Sequence, residues 1–160
     1  YLIPEVLDKI NYHSDHLDEH HEMLFYYKIA CIYFGNEKYN ESVFYLEKII
    51  NNKNLYIRED LACFARLLCL IAHYESGKDV NLENQLVSTY KFLIKMNDLH
   101  EVQKEIIRFL KKLSTIYPSD IKKEFIKVKE RFVELEKNTY EKRAFLYLDI
   151  ISWLESKIEN

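Results

Sequence analysis

Glycine and proline are scarce in this chain, each occurring only twice among 160 residues. Sheets, hairpins and long loops use these residues at their turns, so the scarcity argues against a β-rich or loop-rich fold. Aromatic residues are abundant instead, with 13 tyrosines and 9 phenylalanines. We therefore expect an all-α chain.

A strong net charge is also missing, because 23 basic and 26 acidic side chains leave only −3. Such a balance produces no overall field that would attract nucleic acid or an anionic membrane. Acids are interleaved with the basic residues of the second half, and no nucleic-acid recognition motif accompanies them. These basic residues are Lys104, Arg108, Lys111, Lys112, Lys122, Lys123, Lys127 and Lys129. We expect neither nucleic acid nor a membrane as a partner.

Cysteine is infrequent, and Cys31, Cys63 and Cys69 form no Cys-x-x-Cys pair. Three thiols in apolar surroundings are typical of reduced, buried side chains, so we expect a cytoplasmic protein. The longest apolar run, residues 61–74, contains Arg66 and is shorter than the roughly 20 residues of a membrane span. It is expected to be a core helix. Because the chain begins with Tyr1 and not with methionine, we expect it to be part of a longer protein.

Apolar residues recur every three or four positions along most of the chain, which predicts helices separated by short polar turns. Gly77 is expected to end one helix, and Thr139 is expected to cap the last one. The predicted helices cover residues 3–12, 19–34, 38–50, 58–76, 82–95, 99–116, 120–137 and 140–157.

A pattern of large and small residues recurs in three helix pairs. In the first pair, Tyr26, Ile29, Ala30 and Tyr33 are followed by Ser42, Leu46 and Ile49. Large residues at these spacings interlock neighbouring helices, and the small ones permit close approach. The second and third pairs repeat the spacing with bulkier residues, at a period of about forty.

This pattern resembles the tetratricopeptide family over residues 23–137, most closely in the first pair. The resemblance implies a right-handed α-α superhelix, or solenoid, of about three helical hairpins plus a C-terminal helix. It implies one domain over residues 1–160, with repeats at 19–52, 57–96 and 99–137 and a terminal helix at 140–158. HEAT-like or armadillo-like repeats, which have a similar period, are an alternative.

The resemblance also implies a concave apolar groove that binds a peptide or protein partner. Its lining would be Leu24, Tyr27, Cys31 and Phe34 from the first repeat and Ala65, Leu68, Ala72 and Glu75 from the second. Lys28 and Arg66 are the nearby cations, too few to favour the family branch that clamps a terminal carboxylate. Alternatively, Tyr27 and Phe34 pack in the core, and Arg66 pairs with Glu59, Asp60 or another acid.

The histidine-rich segment at residues 13–21 is the main rival site. If it is helical, His13, His16 and His20 share one side and a zinc ion becomes conceivable. The segment lacks the His-Glu-x-x-His order of a metalloprotease, and a solvated loop with capping acids explains it better than a metal site does. With so few glycines, the chain has no phosphate-binding loop, and no serine or cysteine has an evident catalytic base.

The final predicted helix is apolar on two faces, which a terminal repeat normally avoids. We therefore expect a homodimer, another partner, or fold-back packing around Phe145 and Trp153. Taken together, the sequence predicts a non-catalytic protein-interaction or scaffolding module without a cofactor. The alternatives are a metal-binding sensor or metal-dependent enzyme that uses residues 13–21, and a peptide-sensing regulatory domain of a larger protein.

Overall fold

The computed structural model describes residues 3–5, 7, 19–52, 58–77 and 81–159. Most of these residues are helical, and no strand occurs among them, which confirms the expected all-α class. Residues 3–5 and 7 are helical. The longer helices are α1 (Glu19–Gly35), α2 (Tyr39–Ile50), α3 (Glu59–Ser76), α4 (Leu82–Lys95), α5 (Glu101–Leu113), α6 (Pro118–Glu136), α7 (Lys142–Tyr147) and α8 (Ile150–Glu159).

The chain divides into two compact units, residues 1–80 and 81–160. The boundary falls between α3 and α4, so the second predicted repeat, 57–96, is shared between the two units. Each unit has its own buried core. Large core residues are Leu46, Leu67 and Leu70 in the first unit and Phe125, Phe132 and Leu154 in the second.

In the first unit, α1 packs on α2, α2 packs on α3, and α1 also contacts α3. The closest approach of α1 and α2 lies where the sequence places small residues. Ser42 and Ala30 are fully buried there, and the Ser42 hydroxyl donates a 2.8 Å hydrogen bond to the Ala30 carbonyl oxygen. α3 is buried from Leu61 to Ala72 except at Arg66, as expected of a helix that is apolar on all sides.

Helix ends follow local chemistry in several places. Gly77 ends α3 in the left-handed conformation, with φ at 71°, as the sequence predicts. Asn97 has φ at 53° just after α4, where an asparagine tolerates the same conformation. Pro118 occupies the first turn of α6, where its missing N–H removes no hydrogen bond.

In the second unit, α8 packs on α6, and α5 and α7 also contact α6. The prediction of one terminal helix capped by Thr139 is wrong. Asn138 accepts a 2.9 Å hydrogen bond from the backbone N–H of Tyr140 and holds a turn, so α7 begins only at Lys142. The chain is then extended at Leu148, whose side chain is buried, and Asp149 accepts a hydrogen bond from Ser152 at the start of α8.

Among the described helices, none combines the length and the apolar content that a membrane span requires.

Candidate protein-interaction surface

The groove predicted from the repeat pattern is largely filled by core packing. Tyr27 is only 3% exposed, and Ala65, Leu68 and Ala72 are also buried. These four side chains are therefore in the core and are not available to a partner, which corrects the prediction for Tyr27 and Leu68. Their burial agrees with the alternative that aromatic residues at helical spacing belong to the core.

The remaining groove candidates of the first unit lie at its margins. Lys28 is exposed, and Leu24, Cys31 and Glu75 are half-buried. Phe34 is also half-buried, and its ring meets Tyr39 edge to face at 5.3 Å between centroids. These side chains do not form a continuous apolar channel.

Arg66 is half-buried on α3, and its Nε atom lies out of contact with solvent. Burial lowers the pKa of this guanidinium from its ordinary value, because the charged form loses hydration. Asp60, one of its suggested partners, accepts hydrogen bonds from Arg58 at 3.0 and 3.1 Å. The pairing of Arg66 with Glu59 or Asp60 stays a prediction.

A cluster of aromatic rings lies on one side of α1 and α2. It consists of Phe25, Tyr26 and Tyr33 on α1 and Phe44 and Tyr45 on α2, and we call it the aromatic face. Four of these residues are half-buried, and Phe44 is 55% exposed. Positions 25, 29 and 33 are four residues apart, so they share one side of α1, and buried Ile29 lies between the two rings.

Tyr45 is the centre of the aromatic face. Its ring stacks on Tyr33, with centroids 5.8 Å apart and planes 11° from parallel, and tilts against Tyr26 at 6.2 Å. Phe44 meets the same ring edge to face at 5.2 Å. Rings held by one another in this way are stiff, so they lose little freedom when a partner covers them.

A cation and several polar groups border one end of the aromatic face. The Lys48 ammonium lies 4.8 Å from the ring centre of Phe44 and 5.6 Å from that of Tyr26. Tyr26 donates a 2.7 Å hydrogen bond to Glu22, and burial together with this carboxylate raises the pKa of Tyr26 to about 12. Glu19, Glu22, Met23, Tyr26, Lys48 and Asn52 line a small pocket of about 250 Å³.

An open groove of about 530 Å³ lies between α5 and α6. Its floor is Phe109, Leu113 and Val128, which are all buried. Six of the eight charged lining residues form ion pairs, and two of these pairs cross the groove. Lys112 contacts Glu124 at 2.8 Å, and Arg131 contacts Glu105 at 3.7 Å.

Most of the charged groups on the rim of this groove are already paired, so a charged ligand would have to compete with these ion pairs. The groove is therefore a weaker candidate than the aromatic face, whose rings are already exposed in part.

Basic residues of the second unit are also occupied by acids. Lys104 contacts Glu101, Lys123 contacts Asp120 and Lys129 contacts Glu155, in addition to the pairs of Arg108 and Lys112. Lysines and arginines that are already paired with acids neutralise fewer phosphates and therefore release fewer counterions from a nucleic acid. This arrangement does not favour nucleic-acid binding.

Trp153, named from the sequence as a docking residue, is 8% exposed. Its indole meets Phe125 at 5.5 Å and Phe109 at 6.3 Å, both edge to face. Trp153 is thus part of the core of its own unit, which agrees with the fold-back alternative. Phe145 is half-buried and meets Phe132 at 6.1 Å, whereas its neighbour Leu146 is exposed.

The histidine-rich segment is mostly outside the described residues, including His13 and His16. His20 and His21 are exposed at the start of α1. Within the described part of the chain, no three His, Cys, Asp or Glu side chains come together as a metal site.

The three cysteines are free, and Cys63 and Cys69 are buried. Burial raises the pKa of Cys31 to about 11 and that of Cys69 to about 12. A thiol with so high a pKa is almost entirely protonated at neutral pH, whereas nucleophilic catalysis needs the thiolate. These two side chains do not suit a catalytic role.

Sequence reasoning missed most of the aromatic face. Tyr26 and Tyr33 were assigned to the repeat core, and Phe25, Phe44 and Tyr45 were not singled out. The spacing of residues 25, 29 and 33 was a usable signal for a second apolar side of α1. It could not show that α2 leaves this side partly uncovered.

Comparison of the chain with family models, with curated proteins and with solved structures finds no match. The functional assignment therefore depends on the geometry of the chain itself.

Proposed function

We propose that this chain is a non-catalytic protein-interaction module and that the aromatic face is its binding surface. The observation that carries the proposal is the set of partly exposed rings on α1 and α2, in which Tyr26, Tyr33 and Phe44 all pack against Tyr45. Aromatic side chains are enriched at protein interfaces, and clusters of them supply much of the binding energy. A folded chain gains little by leaving such rings half-covered unless another surface completes them.

A protein partner suits this surface better than nucleic acid does. Bases also stack on aromatic rings, but they arrive with phosphates that require cations. α1 and α2 together carry four glutamates and only two lysines. The acidic surplus would repel a nucleic-acid backbone and tolerates an apolar or basic segment of a protein.

We also propose that α1, α2 and α3 form part of a tetratricopeptide-like right-handed superhelix. Their mutual packing and the close contact of Ser42 with Ala30 support a helical hairpin followed by a third helix. The partner would then bind through the aromatic face and not through the groove expected from the family pattern.

A selection of displayed helical peptides against the immobilised chain tests the proposed function. We expect enrichment of peptides that bind the unmodified chain and lose at least about tenfold in affinity on Phe44→Ser, since a ring at the centre of an interface carries well over 1 kcal/mol. Tyr117→Ser is the matched control, because Tyr117 is 78% exposed and lies in the other unit. Peptides that are equally sensitive to both changes, or no enriched peptides, would contradict the proposal.

A further inference from the structure

The aromatic face already has one occupant, which is a segment of the same chain. Residues 3–5 and 7 are helical, and Ile3 is 7% exposed where it packs against Ile29. Leu7, Phe25, Tyr33 and Tyr45 pack against the same pair. Ile3, Leu7 and three rings of the aromatic face, from α1 and α2, therefore belong to one hydrophobic cluster.

The spacing of Ile3 and Leu7 indicates the kind of surface that fits there. Residues four apart on a helix project from one side, about one turn from each other. The receiving side of α1 has the same period, with Phe25, Ile29 and Tyr33 one turn apart. The two helical segments thus present matching apolar stripes to each other, which is how amphipathic helices dock in grooves.

The occupant covers only part of the aromatic face. Ile29, which packs against Ile3, is buried, but Phe25, Tyr33 and Tyr45 stay half-buried in the same hydrophobic cluster. Tyr26 and Phe44 continue the apolar surface, and Phe44 remains 55% exposed. A longer helix would cover these rings and would bury more apolar area than residues 3–5 and 7 do.

From these contacts we propose that the partner is an amphipathic helix with two aliphatic side chains four residues apart. In the absence of the partner, Ile3 and Leu7 of the same chain occupy the place of those two side chains, and the partner displaces them when it binds. The proposal rests on the function proposed above, because it names the partner of the same surface. The apparent affinity for the partner then equals the intrinsic affinity multiplied by the fraction of molecules in which Ile3 and Leu7 have left the aromatic face.

The probe for this proposal is a fluorescein-labelled peptide with the sequence of residues 1–12. Anisotropy titrations compare the unmodified chain with the full-length variant Ile3→Asp/Leu7→Asp, in which the internal segment is released. We expect the released variant to bind the peptide at least about tenfold more tightly than the unmodified chain. A peptide carrying the same two aspartates should not bind, and Tyr45→Ala in the released chain should abolish binding.

A milder variant, Ile3→Ala, covers the case in which the double aspartate variant does not fold. It should show an intermediate affinity for the peptide, and circular dichroism should show unchanged helix content. Equal affinity of the unmodified, Ile3→Ala and released chains would overturn the proposal. So would equal binding of the unmodified and the aspartate-bearing peptides.

Sedimentation equilibrium shows whether Ile3 and Leu7 pack on the aromatic face of their own chain or on that of a second copy. A dimer of the unmodified chain that dissociates on Ile3→Asp/Leu7→Asp would overturn internal occupancy, because the segment would then lie on a second copy. If displayed peptides depend on Phe44 but the peptide of residues 1–12 does not bind, this inference fails and the proposed function stands.

Discussion

At the scale of single residues, Glu141 shows how a distant side chain can fix a helix end. It is only 6% exposed, and its two carboxylate oxygens accept 3.1 Å hydrogen bonds from the backbone N–H groups of Glu101 and Val102. The first turn of α5 has unsatisfied N–H groups and a positive dipole end, so a carboxylate is well placed there. No local sequence signal identifies this contact, because the two partners are 39 and 40 residues away.

Replacing Glu141 by alanine should lower the free energy of unfolding by about 1–3 kcal/mol, since two buried donors lose their acceptor. Glu141→Gln should cost less, because one oxygen remains to accept a hydrogen bond. Urea denaturation followed by circular dichroism measures both effects. The control is Glu136→Ala at an exposed position of α6, and an equal shift for Glu136→Ala and Glu141→Ala would contradict the capping role.

At the scale of helices, sequence patterns predicted what depends on neighbours along the chain and missed what depends on neighbours in space. The spacing of Ala30 and Ser42 predicted the close packing of α1 and α2, because small side chains that face each other allow two helices to approach closely. The end of α3 at Gly77 was predicted for a similar reason. The sequence does not predict the break between α7 and α8, since residues 140–157 are almost all compatible with one helix. In the structure the break coincides with the extended, buried Leu148.

The contact of α1 with α2 gives a prediction about the side-chain volume that position 30 tolerates. Ala30→Leu should lower the free energy of unfolding by about 1–3 kcal/mol or more, because the added atoms meet fully buried neighbours. Ser42→Ala should cost only about 0.5–1.5 kcal/mol, the usual loss for one hydrogen bond. Ser88→Leu, at an exposed position of α4, is the control for the change in side-chain volume. If Ala30→Leu leaves the denaturation midpoint unchanged, the described packing is incorrect.

The ion pair between α5 and α6 gives a prediction about pH. The hydrogen bond from Lys112 is the main reason that the pKa of Glu124 lies below its ordinary value of 4.5. The folded chain therefore binds this proton less readily than the unfolded chain does. The pair stabilises the fold above pH 4.5 and loses this contribution as the pH falls through the lower folded-state pKa.

Lys112→Met should thus reduce the change in denaturation midpoint between about pH 6 and pH 3. Lys95→Met, at an exposed position of α4, should leave that change as it is in the unmodified chain. An identical pH dependence for the two variants would argue that the pair does not act in solution.

At the scale of the whole molecule, the two units offer different kinds of surface. The first carries the aromatic face, and the second carries an open groove whose two sides are bridged by ion pairs. The apolar residues that suggested a homodimer through the C-terminal helix are largely used within the second unit, where Ile150, Trp153 and Leu154 are buried. The homodimer stays a prediction with less to support it, and a monomer is now the expected state.

Sedimentation velocity at micromolar concentration should show one species near 19.4 kDa. Acrylamide should quench Trp153 only weakly in that species, because the single indole of the chain is 8% exposed. A dimer that dissociates on Leu146→Glu would instead support the predicted homodimer through the C-terminal part of the chain. Quenching close to that of free tryptophan would contradict the described core.

The central claim is that the aromatic face, and not the remaining exposed aromatic residues, meets a partner protein. Photo-crosslinking in living cells of the source organism tests it most directly, with p-benzoylphenylalanine placed at position 44 in one chain and at position 117 in another. The account predicts a discrete crosslinked protein at position 44 that is missing at position 117. The same adducts at both positions, or none at position 44, would contradict it.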